Sequence, residues 1–143
     1  MKKATEKLST GFAVKSPINI NLSQAIIKNK EKKMKIAIIG SRELHVENFD
    51  EYLPEGVTEI VSGGAKGIDK DAEAYANEKG IKMTVFKPDY RRFRGGATHI
   101  RNRQIVDYAD EVLAFWNGSS RGTAGVIEYC KEQEKRVTVI IIK

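Results

Sequence analysis

From residue 34 onward, short apolar runs alternate with stretches whose apolar positions recur every three or four residues. The runs are "KIAIIG" (35–40), "EIVSG" (59–63), "MTVF" (83–86), "EVLAFW" (111–116) and "RVTVIII" (136–142). Each is strand-sized and continuous rather than alternating, the pattern of a parallel strand covered by helices on both faces. Helical spacing is clearest over 67–79, where Ile68, Ala72, Tyr75 and Ala76 share a face and Gly80 is placed as a C-terminal cap. It predicts further helices over about 99–109 and 122–134. A shorter helix is predicted over 46–53, with Val46, Phe49 and Leu53 on one face and Pro54 as its stop. The expected fold class is α/β: a single Rossmann-like domain with an about five-stranded parallel sheet and helices on both faces. No internal repeat or second domain is visible.

Composition narrows the function classes. The chain has 143 residues, of which 41% are hydrophobic, enough for one domain with its own core. No apolar run approaches the ~18 to 20 residues of a membrane span, so no membrane partner is expected. One cysteine and two histidines leave neither a disulfide framework nor a metal cluster, and a cytoplasmic location is expected. The net charge of +6 invites a nucleic-acid reading, but residues 1–33 hold eight lysines against Glu6 and Glu31. Residues 34–143 hold seventeen basic and seventeen acidic side chains. The expected organisation is therefore a basic N-terminal extension (1–33, arm or tail) followed by the domain (34–143), whose neutral core is not expected to bind nucleic acid. The extension lacks both the apolar stretch of a signal peptide and the arginines of a transit peptide. It reads as a solvated tail, as translation from an upstream start, or as a docked helix over "INLSQAIIKNKEKK".

Candidate chemistry lies where strands end. "GSRE", "SGGAKGID" and "WNGSSRGTAG" are glycine-bearing strand-to-helix turns, and ligands of such sheets bind beyond the carboxyl ends of the strands. Backbone N–H groups at a helix start make a ready phosphate site. The candidate ligand-binding residues are Gly40, Ser41 and Arg42 in the first turn, and Ser62, Gly63, Gly64, Ala65, Gly67 and Asp69 in the second. In the third they are Trp116, Gly118, Ser119, Ser120, Arg121, Gly122 and Thr123. Gly64 with Gly67, and Gly122 with Gly125, match only the end of the dinucleotide fingerprint, and neither stretch is a Walker loop.

Several of these residues have two readings. Arg101 and Asn102 open the third helix, where the arginine either forks a phosphate or pairs on the surface with Asp107 or Asp110. Asp69 caps a helix or contacts a ribose. Trp116 packs or stacks on a base. The 87–99 stretch, with Tyr90 and Phe93 among arginines, is a surface loop or a lid. His99 is an acid–base group or a helix N-terminal residue, His45 is loop surface, and Cys130 falls on the apolar stripe of the last helix as a core residue.

"IAIIGSRE", "IVSGGAKGIDKDAEAYANEKG" and "WNGSSRGTAGVIEYCKE" together resemble the SLOG superfamily, which includes DNA-processing protein A and the lonely guy phosphoribohydrolases. The similarity is strongest to its small bacterial YspA/YpsA-like branch, and "GGATHIRNRQIVDYADEVLAF" resembles the segment before that branch's fourth strand. The resemblance spans about residues 34–143. It implies a nucleotide-type small molecule as partner, a homodimer, and no cofactor. In the lonely guy enzymes a G-G-x-G-T-x-x-E signature binds phosphate and supplies a catalytic carboxylate, assisted by an arginine. Here Ser119 to Thr123 match the phosphate half and Arg101 the arginine, while Val126 occupies the carboxylate position. Glu128, two residues on, lies about 200° further round a helix. Arg101 and Glu128 are the only catalytic candidates. The expected function is binding or sensing of a nucleotide or nucleotide-derived ligand. The alternatives are a phosphoribohydrolase acting on nucleoside monophosphates, and single-stranded DNA binding.

Overall fold

A computed structural model describes residues 33–143. The basic extension expected over 1–33 lies, but for Lys33, outside the described residues. Five parallel strands form one sheet in the order β3-β2-β1-β4-β5: β1 (Lys35–Gly40), β2 (Glu59–Ser62), β3 (Lys82–Val85), β4 (Glu111–Trp116) and β5 (Val137–Ile141). The helices are α1 (Ile68–Lys79), the single turn α2 (Tyr90–Phe93), α3 (Ala97–Tyr108) and α4 (Arg121–Glu132). This is the α/β Rossmann-like arrangement that the apolar runs predict.

Two apolar layers explain why the strands read as continuous runs. Ile36 and Ile38 of β1 pack with Ile60, Leu113, Phe115 and the apolar face of α1. Their neighbours Ala37 and Ile39 pack on the opposite face with Val61, Val112, Ala114 and the faces of α3 and α4. Successive side chains of a strand point to opposite faces, so both sets must be apolar when both faces are covered. Burying a side chain such as Ile36 or Ile38 contributes about 1.5 to 3 kcal/mol. Chain direction then sets the layers: β1 to β3 step outward on one side with α1 on one face, and β4 and β5 return on the other side with α3 and α4 on the other face. Right-handed crossovers require that exchange of face when the direction reverses. The reversal falls between β1 and β4, and their carboxyl ends frame a crevice.

Three local expectations are corrected. The helix predicted over 46–53 is only a 3-10 turn, Phe49–Glu51, which the Asn48 side chain caps by accepting from the Asp50 amide at 2.9 Å. The chain before it is tied instead to α1, where Asp71 accepts from the Val46 amide at 2.8 Å. The 87–99 stretch is partly helical: Asp89 accepts from the Arg92 amide and starts α2, and a 3-10 turn Arg94–Gly96 leads into α3. Asp69 does not cap α1, whose N-cap is Gly67 without any side-chain bond. Gly67 has φ +72°, and a Cβ there would lie 2.3 Å from the Arg42 carbonyl oxygen, so only glycine fits where the two turns touch. Cys130 is fully buried as expected, and burial raises its thiol to about 11, which makes it a poor nucleophile.

At the amino edge of the sheet, opposite the crevice, Glu59 is buried and accepts from the Thr84 and Tyr108 hydroxyls, each at 2.6 Å. Burial pushes its pKa up, but these two bonds, with Lys82 and Lys35 nearby, hold it below the ordinary carboxylate value. A carboxylate with a lowered folded pKa stabilises above its unfolded value and loses that contribution as pH falls through the folded one. Glu59→Gln is therefore expected to cost about 1 to 3 kcal/mol at neutral pH. The deficit should shrink below pH 4.5. Thermal melts of both proteins at pH 7 and pH 3 check this.

Candidate functional site

A cavity of about 430 Å³ occupies the crevice at the carboxyl ends of β1 and β4. Its floor is apolar, made by Ile39, Ile105 and Val126. Three segments supply the polar wall: Arg42 and Glu43 after β1; Gly63, Ala65 and Asp69 where β2 leads into α1; and Asn117, Ser119, Ser120, Gly122 and Thr123 where β4 leads into α4. The first two turns of α3 add Thr98, His99, Arg101 and Asn102.

Arg101 is the most constrained charge in this wall. Only 7% of it is exposed. Nη1 donates to the Gly63 carbonyl at 2.7 Å, and Nε donates to Asn102 Oδ1 at 2.8 Å. Gly63 permits this approach, since a Cβ there would stand 2.6 Å from Nη1. Nη2 has no partner among the described residues. Every fully buried side-chain nitrogen and oxygen there is hydrogen-bonded, so Nη2 keeps some exposure, on a residue that lines the cavity. Burial lowers the Arg101 pKa, with the Asp69 carboxylate acting against it. An arginine so placed stays charged. It is a fixed cation with a free donor, and it pairs with neither Asp107 nor Asp110. Those two carboxylates accept from the Tyr129 hydroxyl and the Lys35 amide.

Asp69 faces the same space but is already engaged, accepting from the Ala65 amide at 3.0 Å. Burial raises its pKa, the Ala65 bond opposes the shift, and so does Arg101. Glu43 accepts from Asn117 Nδ2 at 3.2 Å. Asn117 Oδ1 in turn accepts from the amides of Ser119 and Ser120, at 2.9 and 2.8 Å. The Ser120 side chain caps α4 by accepting from the Thr123 amide. The amides left without an acceptor among the described residues at this helix start are those of Arg121 and Gly122, in the helix's first turn. A Cβ at Gly122 would meet nothing within 4 Å.

Of the residues the sequence singles out, Gly40, Arg42, Gly63, Ala65, Asp69, Arg101, Asn102, Ser119, Ser120, Gly122 and Thr123 line the cavity. Ser41, Ser62, Gly64, Gly67, Trp116, Gly118 and Arg121 do not. Ser41 is buried, its hydroxyl oxygen 3.4 Å from the Asn117 amide that it accepts from, and it stitches β1 to β4. Ser62 accepts from the Gly64 amide inside its own turn. Trp116 donates from Nε1 to the Ser120 carbonyl at 3.0 Å, which braces the third turn, and its ring packs against the core beside α3 and α4. Gly118 and Arg121 are exposed. Glu128 opens on a second, smaller cavity. The sequence reading missed Glu43, Thr98 and Asn117. Asn117 had a signal: an asparagine followed by glycine and two serines commonly bonds the amides just ahead of it.

Residues 34–93 match the family model described as the YspA, cpYpsA-related SLOG family. This segment belongs to the SLOG family. No curated protein and no solved structure matches the chain. The SLOG match includes the first two turns, with Arg42, Gly63, Ala65 and Asp69. It stops at Phe93, before Arg101 and the third turn, whose place in the site rests on geometry. SLOG membership fits a nucleotide-related binding or processing role. Among the described residues, no helix is long and apolar enough to cross a membrane.

Proposed function

We propose that this SLOG protein binds a nucleotide or nucleotide-derived small molecule at the carboxyl edge of its sheet. The ligand's phosphate meets the free amides of the first turn of α4 and the Nη2 of Arg101. The observation that carries this reading is the Arg101 guanidinium in the cavity wall, clamped by the Gly63 carbonyl and Asn102 with Nη2 unpaired among the described residues. A buried cation without a counter-charge in contact is costly, and an anionic ligand offsets that cost. The half-charge of a helix start adds to the same attraction.

The hydrolase reading needs a carboxylate from α4 in the cavity, and the residue there is Val126. Single-strand binding gains no support from a domain whose charges balance. In our reading the protein works on a cytoplasmic ligand pool, and sedimentation would show whether the homodimer implied by the resemblance forms. The deciding experiment is calorimetric titration of the full chain with nucleoside mono- and diphosphates, followed by chromatography of the mixture. The expected result is a saturable complex from which the nucleotide is recovered intact. Absence of saturable binding across all four bases overturns the proposal, and release of free base replaces it with the hydrolase.

A further inference from the structure

The main cavity continues along α4. A second cavity of about 220 Å³ adjoins it, and His99, Asn102, Gly122 and Val126 line both. The walls that belong to the second cavity alone are Arg103 of α3 and Gly125, Glu128, Tyr129 and Glu132 of α4.

Gly122 and Gly125 stand one turn apart on α4, and a Cβ at either would meet nothing within 4 Å. Neither has a positive φ. The fold thus requires glycine at neither position, although glycine is the least favourable helix residue after proline. A side chain at Gly122 would stand where the two cavities join, and one at Gly125 would enter the second cavity. The bare backbone therefore leaves a path from one cavity into the other.

The second cavity differs chemically from the first. Glu128 and Glu132 lie four residues apart, exposed and without an ion-pair partner among the described residues. The Tyr129 ring is held by its hydroxyl, which donates to Asp107 at 2.8 Å, and the Arg103 guanidinium lies 5.1 Å over it. Unpaired carboxylates repel a phosphate and accept hydrogen bonds from hydroxyl groups, and the Asn102 amide can do both duties toward a hydroxyl. The second cavity suits an uncharged, hydroxyl-rich group.

Resting on the nucleotide reading of the main cavity, we infer that the ligand is a two-part, pyrophosphate-linked nucleotide. Its nucleoside lies in the larger cavity, its phosphates cross the bare backbone at Gly122, and a sugar-like group fills the second cavity.

Calorimetry on the full chain tests this with three pairs sharing a base: AMP and ADP-ribose, UMP and UDP-glucose, GMP and GDP-mannose. For the recognised base, the sugar-bearing member is expected to bind at least tenfold more tightly than the monophosphate. ATP should gain nothing over ADP, because its third phosphate would face Glu128 and Glu132. Gly125→Leu fills only the second cavity, so it should erase the tenfold preference and leave the monophosphate affinity within twofold. The double variant Glu128→Gln/Glu132→Gln should reduce the preference at least threefold without touching monophosphate binding, and it makes the same test without adding bulk. Equal affinities within each pair, or an effect of either variant on both members alike, overturn the two-part ligand while the nucleotide site stands. If no member of any pair binds, the nucleotide reading of the main cavity fails and this inference falls with it.

Discussion

Gly122→Val is expected to abolish nucleotide binding while the protein stays folded. The substituted Cβ meets no atom within 4 Å, so the fold accommodates it. Valine is a better helix residue than glycine by a few tenths of a kcal/mol, and the melting temperature should hold or rise slightly. The isopropyl group stands in the wall of the main cavity, beside an amide that has no acceptor among the described residues. It would block the phosphate's approach to that amide. A loss of more than about a hundredfold in affinity, near 2.7 kcal/mol, is expected. Gly122→Ala should give an intermediate loss. Wild-type affinity in the valine variant would remove the phosphate from this helix start.

Arg101→Ala is the second large effect. One charge-assisted contact is worth about 1.5 to 3 kcal/mol, so affinity should fall roughly ten- to a hundredfold. The variant also leaves the Gly63 carbonyl without its Nη1 donor, so a loss of stability should accompany the loss of binding. Two companions separate these effects. Arg101→Lys keeps the charge but cannot fork between the carbonyl and the ligand, and should recover only part of the affinity. Gly63→Ala keeps the arginine but places a methyl 2.6 Å from Nη1, which displaces the guanidinium. It should weaken binding as the alanine variant does. Full affinity in Gly63→Ala, with the arginine visibly moved, would exclude Arg101 as a ligand group.

The limits of the sequence are clearest at the short elements. The 46–53 helix failed because Asn48 takes an extended backbone and caps a single turn that starts only at Phe49. The 87–99 stretch looked irregular because its helical turns are single ones. The capping role of Asp89 carries them, and they show no repeated apolar face. Trp116 could be read as a stacking surface until its ring was found packed on the core and outside the cavity wall.

The strands, the three long helices and the α/β class were determined by the sequence itself, because they follow from local periodicity. A strand covered on both faces must be apolar at every position, and Ile36 to Ile39 are apolar throughout. The meeting of the three glycine turns was legible for the same reason, since parallel strands place all their carboxyl ends on one edge. Only the tertiary structure decided which atoms of those turns face the crevice. In the second turn Gly63 and Ala65 line it, while Ser62, Gly64 and Gly67 serve the turn's own geometry. Only it buried Arg101, through a bond to a carbonyl 38 residues earlier in the chain. Local spacing carries no information about such a partner, because the hydrogen bond exists only once the sheet has brought α3 against the turn after β2.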